Sequence, residues 1–67
     1  MTEYLNECLS YLQKNWKDRE FDYLDVYPEI RRGRYNLDRL EALGYLTSRL
    51  ARYPNRPSIL VKYYRLT

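Results

Sequence analysis

The chain has 67 residues, a net charge of +3, no histidine and one cysteine. A chain of this length builds at most one small domain, whose core only narrowly offsets chain entropy. The missing histidine and single cysteine exclude a multi-cysteine zinc site and leave few groups for acid–base chemistry. We therefore expect no enzymatic activity, no metal and no cofactor. The aromatic content of 16% indicates a folded chain.

Charge is distributed unevenly along the chain. Residues 1–30 carry seven acidic and three basic side chains, a net charge of −4, whereas residues 31–67 carry nine basic and two acidic ones, a net charge of +7. No acidic side chain follows Glu41. Such a basic surface is typical of proteins that bind a polyanion, although small basic domains also carry this asymmetry for solubility alone.

Two further features bear on the compartment. The chain has no apolar run long enough to cross a bilayer, and its N-terminus lacks the basic start and apolar core of a signal peptide. Cys8 has no second cysteine to pair with, so we interpret it as a small buried hydrophobic residue in a reducing environment. We expect a cytoplasmic protein that does not bind membranes.

The first predicted helix covers about residues 3–16. Its apolar residues recur at helical spacing and are Leu5, Cys8, Leu9, Leu12 and Trp16. Tyr4 and Tyr11 flank this stripe, seven residues apart. Either they border the core with their hydroxyls in water, or they form a second face for a partner.

The segment over residues 21–32 allows two interpretations. Both Asp22 and Asp25 are residues that can cap a helix N-terminus. If Asp25 is the cap, Pro28 lies in the first turn, where its missing N–H costs least; if Asp22 is the cap, Pro28 lies inside the helix. We prefer the first alternative and predict a short helix 2 over about residues 25–32.

A third helix is predicted over about residues 34–43. Leu37, Leu40 and Leu43 fall on one face of a helix, and Gly44 can adopt the left-handed conformation that closes a helix. With these leucines in the core, the basic side chains near the start of the helix lie on its outer face.

Two runs suited to β-strands follow the third helix. Between them stands Pro54-Asn55-Arg56-Pro57, whose prolines and asparagine favour a turn and cannot continue a strand ladder. We therefore predict an antiparallel hairpin over about residues 46–66, with Arg56 at its tip.

Two features follow each other in the second half of the chain. A leucine repeat runs into a glycine and a short strand, and the hairpin after it ends on Tyr-Arg-Leu-Thr. Together they make a recognisable combination. It comprises Leu37, Leu40, Leu43, Gly44, Tyr45, Leu46, Thr47, Ser48 and Arg49, then Lys62-Tyr63-Tyr64-Arg65-Leu66-Thr67. This combination, over about residues 34–67, resembles winged helix-turn-helix transcription regulators, especially the PadR-type family. The resemblance implies an α+β fold, a winged helix-turn-helix with three helices plus a C-terminal β-hairpin wing, in one domain over residues 1–67.

The resemblance also implies a function. Winged helices of this type bind double-stranded DNA sequence-specifically as small transcriptional regulators, with the third helix in the major groove and the wing on the backbone or minor groove. Arg34, Tyr35 and Arg39 are the expected base-reading residues, whereas Arg56 is expected on the backbone. The expected DNA-binding residues are Arg31, Arg32, Arg34, Tyr35, Arg39, Arg49, Arg52, Arg56 and Lys62.

Other partners remain open. Winged helices also serve as protein-docking modules, and nine tyrosines can supply a contact surface. Exposed tyrosines can instead stack on single-stranded nucleic acid while arginines follow its backbone. For the favoured duplex-binding function we expect a homodimer through helix 1, at Tyr4 and Tyr11, because one small module contacts only a few base pairs.

Overall fold

The computed structural model describes all 67 residues. It contains two helices, α1 (Glu3–Asn15) and α2 (Gly33–Ala42), followed by two strands, β1 (Leu46–Tyr53) and β2 (Arg56–Leu66). The strands pair antiparallel and form a two-stranded sheet. The architecture is therefore a small α+β fold of two helices and one hairpin.

Helix α1 begins at a side-chain cap and buries one apolar face. The Leu5 N–H donates to the Thr2 hydroxyl at 3.1 Å, which satisfies one of the free donors at the helix start. Its buried residues are Leu5, Cys8, Leu9 and Leu12. The helix ends at Asn15, one residue before the predicted end. Neither α1 nor α2 has the length and apolar composition needed to cross a membrane.

The predicted winged helix-turn-helix fold is wrong, because the chain has two helices and a hairpin rather than three helices plus a wing. The missing element is helix 2, expected over residues 25–32. This stretch folds as consecutive turns. The Ile30 N–H donates to the Val26 carbonyl at 2.9 Å, but this bond is isolated and belongs to no helical ladder.

Local side-chain bonding explains why the turns replace the helix. The Asp22 N–H donates to Asp25 Oδ2 at 3.0 Å, and the Asp25 N–H donates to Asp22 Oδ1 at 2.9 Å. Aspartates that bind nearby main-chain N–H groups compete in this way with helix formation. Pro28 also has no N–H to donate, and its ring disfavours helical geometry at Tyr27.

Phe21 connects the turn segment, which we define as residues 16–32, to the sheet. Its N–H donates to the Tyr64 carbonyl at 3.0 Å, and its carbonyl accepts from the Tyr64 N–H at 2.7 Å. The two rings stack with their centroids 6.1 Å apart. Both residues belong to a single hydrophobic core with Leu5, Cys8, Leu9, Leu12, Val26, Ile30, Leu37, Leu40 and Leu46.

Helix α2 starts one residue before the predicted third helix and ends one residue sooner. Leu37 and Leu40 are fully buried, but Leu43 is 53% exposed, so its predicted place on the core face is wrong. The helix closes immediately before Leu43, because Gly44 turns the chain with a φ of +91°. The Tyr45 N–H then bonds the Leu40 carbonyl at 3.0 Å.

The hairpin runs away from the core toward its tip. Leu46 pairs with Leu66 at the core end, and pairing continues to Arg52 opposite Leu60, where the register shifts. The turn occupies residues 54–55, so Arg56 and Pro57 belong to β2 rather than to the predicted turn.

Candidate functional site

The outer face of α2 carries two arginines around an exposed tyrosine. The guanidinium carbon of Arg32 lies 4.5 Å from the centre of the Tyr35 ring, and that of Arg39 lies 5.6 Å from it. Tyr35 is 51% exposed. Tyr35 and Arg39 are four residues apart and lie on one stripe of α2, and Arg32, the residue before the helix, reaches the same ring. We call Arg32, Tyr35 and Arg39 the arginine face.

Two hydrogen bonds to the main chain of Arg31 fix the backbone just before Arg32, the first residue of the arginine face. The Arg31 N–H donates to the Tyr4 hydroxyl at 2.7 Å, and the Arg31 carbonyl accepts from Asn36 Nδ2 at 2.7 Å. The next residue, Arg32, has a left-handed backbone with φ 52° and ψ 47°. This conformation costs a residue with a side chain about 1–2 kcal/mol. Contacts from both helices thus support the strained residue from which the Arg32 side chain projects.

The acidic side chains of α2 lie on a different flank, toward the hairpin. Asp38 Oδ1 accepts from Lys62 Nζ at 2.8 Å and from the Tyr64 hydroxyl at 2.6 Å. Glu41 Oε1 lies 3.1 Å from Lys62 Nζ, and its Oε2 accepts from the Ser48 hydroxyl. These are the two acidic residues of the basic half of the chain. The arginine face consequently has no carboxylate within salt-bridge distance.

The same contacts shift the pKa values at the helix–hairpin junction. Burial acts to raise the pKa of Asp38, but the hydrogen bonds from Lys62 and Tyr64 outweigh it and hold that pKa below its usual 3.8. The hydrogen bond from Ser48, assisted by Lys62 and opposed by burial, holds the pKa of Glu41 below its usual 4.5. Both carboxylates therefore stay charged at neutral pH.

We expect this junction to lose its stabilising effect in acid. A carboxylate whose pKa is lower in the folded state stabilises the fold at pH values above its unfolded pKa, and this contribution disappears as the pH falls through the folded pKa. The free energy of unfolding, measured in urea, should therefore fall as the pH drops from 5 to 3, below the usual pKa values near 4. Asp38→Asn should lower stability at pH 7 and show a smaller loss over the same range. Equal losses in both proteins would contradict the assignment.

The structure separates the other predicted DNA-binding residues. Arg31 is exposed next to the arginine face, whereas Arg34 lies over the Tyr23 ring at 5.8 Å. Arg49 forms a two-pronged salt bridge with Glu20, at 2.6 and 2.8 Å, and Lys62 is paired as described above. The two remaining residues are on the hairpin: Arg52, which donates to the Pro57 carbonyl at 2.7 Å, and Arg56, which is exposed at the start of β2.

Sequence reasoning missed the supporting roles of Tyr4 and Asn36. Asn36 lies inside α2 with only 6% of its surface exposed. Asn36 is five residues from Arg31 in the sequence, and Tyr4, which also contacts Arg31, is 27 residues from it. No local pattern in the sequence signals the contact of Tyr4, because it exists only once α1 packs beside the arginine turn.

The predicted homodimer through helix 1 stays a prediction. Tyr4 and Tyr11 are both half-buried and pack against the core of their own chain. The Tyr11 hydroxyl lies 3.5 Å from the indole nitrogen of Trp16, which donates to it. These contacts account for both tyrosines within one chain.

Comparisons with known proteins add no functional information. The chain matches no protein-family model, and comparisons with curated proteins and with solved structures find no significant similarity. The fold and the site therefore define only a class, a small α+β protein that presents an arginine-rich helix face.

Proposed function

We propose that the protein binds double-stranded DNA through the arginine face, as a small sequence-specific transcriptional regulator. The observation that carries the proposal is the segregation of charge on α2. Arg32 and Arg39 both lie over the Tyr35 ring without a carboxylate partner, while Asp38 and Glu41 are engaged by the hairpin. Guanidinium groups with free donors bind phosphate oxygens and the guanine edge in a two-pronged geometry.

The dimensions of α2 suit this role. Its ten residues extend about 15 Å, and an α-helix fits the major groove of B-DNA, which is about 12 Å wide. Two guanidiniums that share one ring repel each other, and the Tyr35 π-system offsets only part of that repulsion. A polyanion relieves the remainder. The proposed docking element is thus the helix itself, supported by the hairpin through the Asp38 and Glu41 contacts.

Single-stranded nucleic acid is the second candidate, because the exposed Tyr35 ring offers a stacking surface. A base that stacked on this ring would compete with the Arg32 and Arg39 guanidiniums, which already lie over it. This competition favours a duplex, whose phosphates and base edges meet the arginines directly. Competition of a labelled duplex by unlabelled single strands distinguishes the two, and selection from a random duplex pool tests whether binding is sequence-specific.

Salt dependence provides the direct test of the proposal. Binding of duplex DNA should weaken by about 0.9 in log K per tenfold salt for each phosphate neutralised. If Arg31, Arg32, Arg34 and Arg39 each neutralise one phosphate, the slope is about −3.6 and the affinity falls about 150-fold between 50 and 200 mM salt. Fluorescence anisotropy with a labelled duplex measures this slope. An affinity that does not change with salt would contradict DNA binding through these arginines.

A cytoplasmic location belongs to the same proposal. The buried, unpaired thiol of Cys8 suits a reducing compartment.

A further inference from the structure

Strand β2 has an outer edge to which the chain itself forms main-chain hydrogen bonds at one point only. Its inner edge pairs with β1 from Leu60 to Leu66 and again at Arg56, and residues 57–59 between them have no partner in β1. On the outer edge only Tyr64 is paired, with Phe21. Main-chain groups of successive strand residues point alternately to the two edges. Lys62 and Leu60 therefore direct their N–H and C=O groups to the same side as Tyr64. Residues 58–62 form what we call the open edge.

A groove of about 250 Å³ runs beside the open edge. Leu24 from the turn segment and Leu60 from β2 line it, and each is 56% exposed. Ile59 lines it as well and is 39% exposed. Exposed aliphatic side chains next to unpaired strand hydrogen-bonding groups favour the addition of another strand.

We propose that the open edge pairs with the same edge of a second copy of this chain. The product is a symmetric dimer whose four-stranded antiparallel sheet runs in the order β1, β2, β2, β1. The two-fold axis passes between the two Leu60 residues. Ile59 then faces Val61 of the second copy, and Ser58 faces Lys62.

This register follows from where the outer edge is blocked. Phe21 occupies the edge at Tyr64, so the strand of a second copy can pair only as far as Lys62. Because the dimer is symmetric, the same limit holds for the second copy. The paired stretch is therefore residues 58–62 of each copy, centred on Leu60. Leu60 points outward in each copy, so the main-chain groups of the two Leu60 residues bond as a pair across the axis. Ser58 and Ile59 have no partner in β1, so they are free to align with Lys62 and Val61 of the second copy. The pairing also brings the β-branched side chains of Ile59 and Val61 together and places no two like charges opposite each other.

Charge complementarity favours a second copy as the occupant. Beyond Ser58, the strand of the second copy leads to Arg56, which is exposed and forms no salt bridge in its own chain. The register carries this arginine toward Phe21 and the adjoining Asp22–Asp25 turn, where the Asp25 side chain is exposed. The dimer thus sets a basic hairpin tip against an acidic turn at each end of the shared sheet.

Paired glutamate substitutions test the interface. Leu60→Glu places two carboxylates opposite each other on the two-fold axis, where they repel. Leu50→Glu is the matched control, since Leu50 is 66% exposed but belongs to β1. Within one chain, each new carboxylate lies opposite a cation, Arg52 for position 60 and Lys62 for position 50, so folding should be affected similarly.

Analytical sedimentation over a range of protein concentrations measures the mass of each variant in solution. The wild-type chain and Leu50→Glu should shift from the 8.3 kDa monomer to twice that mass, whereas Leu60→Glu should need at least a tenfold higher concentration. A monomeric wild type would overturn the proposal and assign the edge to a strand of another protein. A dimer unaffected by Leu60→Glu, or one abolished only by Tyr11→Ala, would overturn it in favour of another interface.

Cross-linking checks the register independently of dimer strength. Hydrogen-bonded antiparallel residues have Cα atoms about 5.5 Å apart, which is within reach of a disulfide. Under mild oxidation, Leu60→Cys should therefore form a covalent dimer, and Leu50→Cys should not. The native Cys8 is buried and should not interfere. Equal cross-linking at positions 50 and 60 would contradict the predicted register.

Discussion

Leu40→Ala is expected to leave the protein largely unfolded at room temperature. Leu40 has no exposed surface and belongs to the single core, where α2 packs with α1 and the sheet. Truncation of a buried leucine costs about 2–5 kcal/mol. A core of this size rarely supplies more than about 3–5 kcal/mol of net stability. The substitution therefore removes most or all of the available stability.

Leu43→Ala is the matched control for this substitution. It removes the same atoms one helical turn later, but Leu43 is 53% exposed at the end of α2. Its effect on the free energy of unfolding should be within about 0.5 kcal/mol, as for other surface substitutions. Urea titrations of both variants, followed by far-UV circular dichroism, provide the comparison. A stable Leu40→Ala, or equal losses in both variants, would show that the core is assigned incorrectly.

Arg39→Ala is expected to reduce the affinity for duplex DNA by about 1–3 kcal/mol and to relax base preference if its guanidinium binds a guanine edge. That corresponds to a loss of roughly 5- to 150-fold, because each 1.4 kcal/mol is a factor of ten. Arg65→Ala is the control, since it removes the same charge from an exposed position on β2 outside the arginine face. Equal losses for the two variants would show that binding responds only to net charge.

Arg39→Lys separates the two ways in which this residue can contribute. Lysine keeps the charge but lacks the planar donor fork of arginine. If Arg39 only neutralises a phosphate, the lysine variant should retain most of the affinity and the same salt slope. If Arg39 reads a base, the lysine variant should lose sequence preference while it keeps non-specific binding. Thermal melting of each variant confirms that differences in affinity do not come from unfolding.

The two dimer predictions have different consequences for DNA binding. Pairing at the open edge involves β2, the turn segment and Arg34, whereas Arg32, Tyr35 and Arg39 do not line that groove. The predicted interface at Tyr4 involves a side chain that already holds the Arg31 main chain. A partner that engaged Tyr4 would therefore act on the position of the arginine face as well.

The sequence by itself determined the elements whose signals are local. The apolar spacing of α1 defines a helix to within one residue, and Pro54 and Asn55 mark the hairpin turn. Gly44 marks the end of α2 because few other residues adopt a positive φ there. In each case the deciding interactions join residues that are close in the chain.

Only the tertiary structure decided the remaining features. Asp22 and Asp25 each looked like helix caps, and the local pattern left both open. The segment pairs with the sheet at Phe21 and Tyr64, the two aspartates cap each other, and helix 2 and the winged fold are absent. The positive charges could be counted from the sequence, but not the ones that are neutralised. Arg49 meets Glu20 across 29 residues and Lys62 meets Asp38 across 24. Such contacts form only after the chain has packed. No local pattern therefore shows that the arginines of the arginine face are among those that have no carboxylate partner.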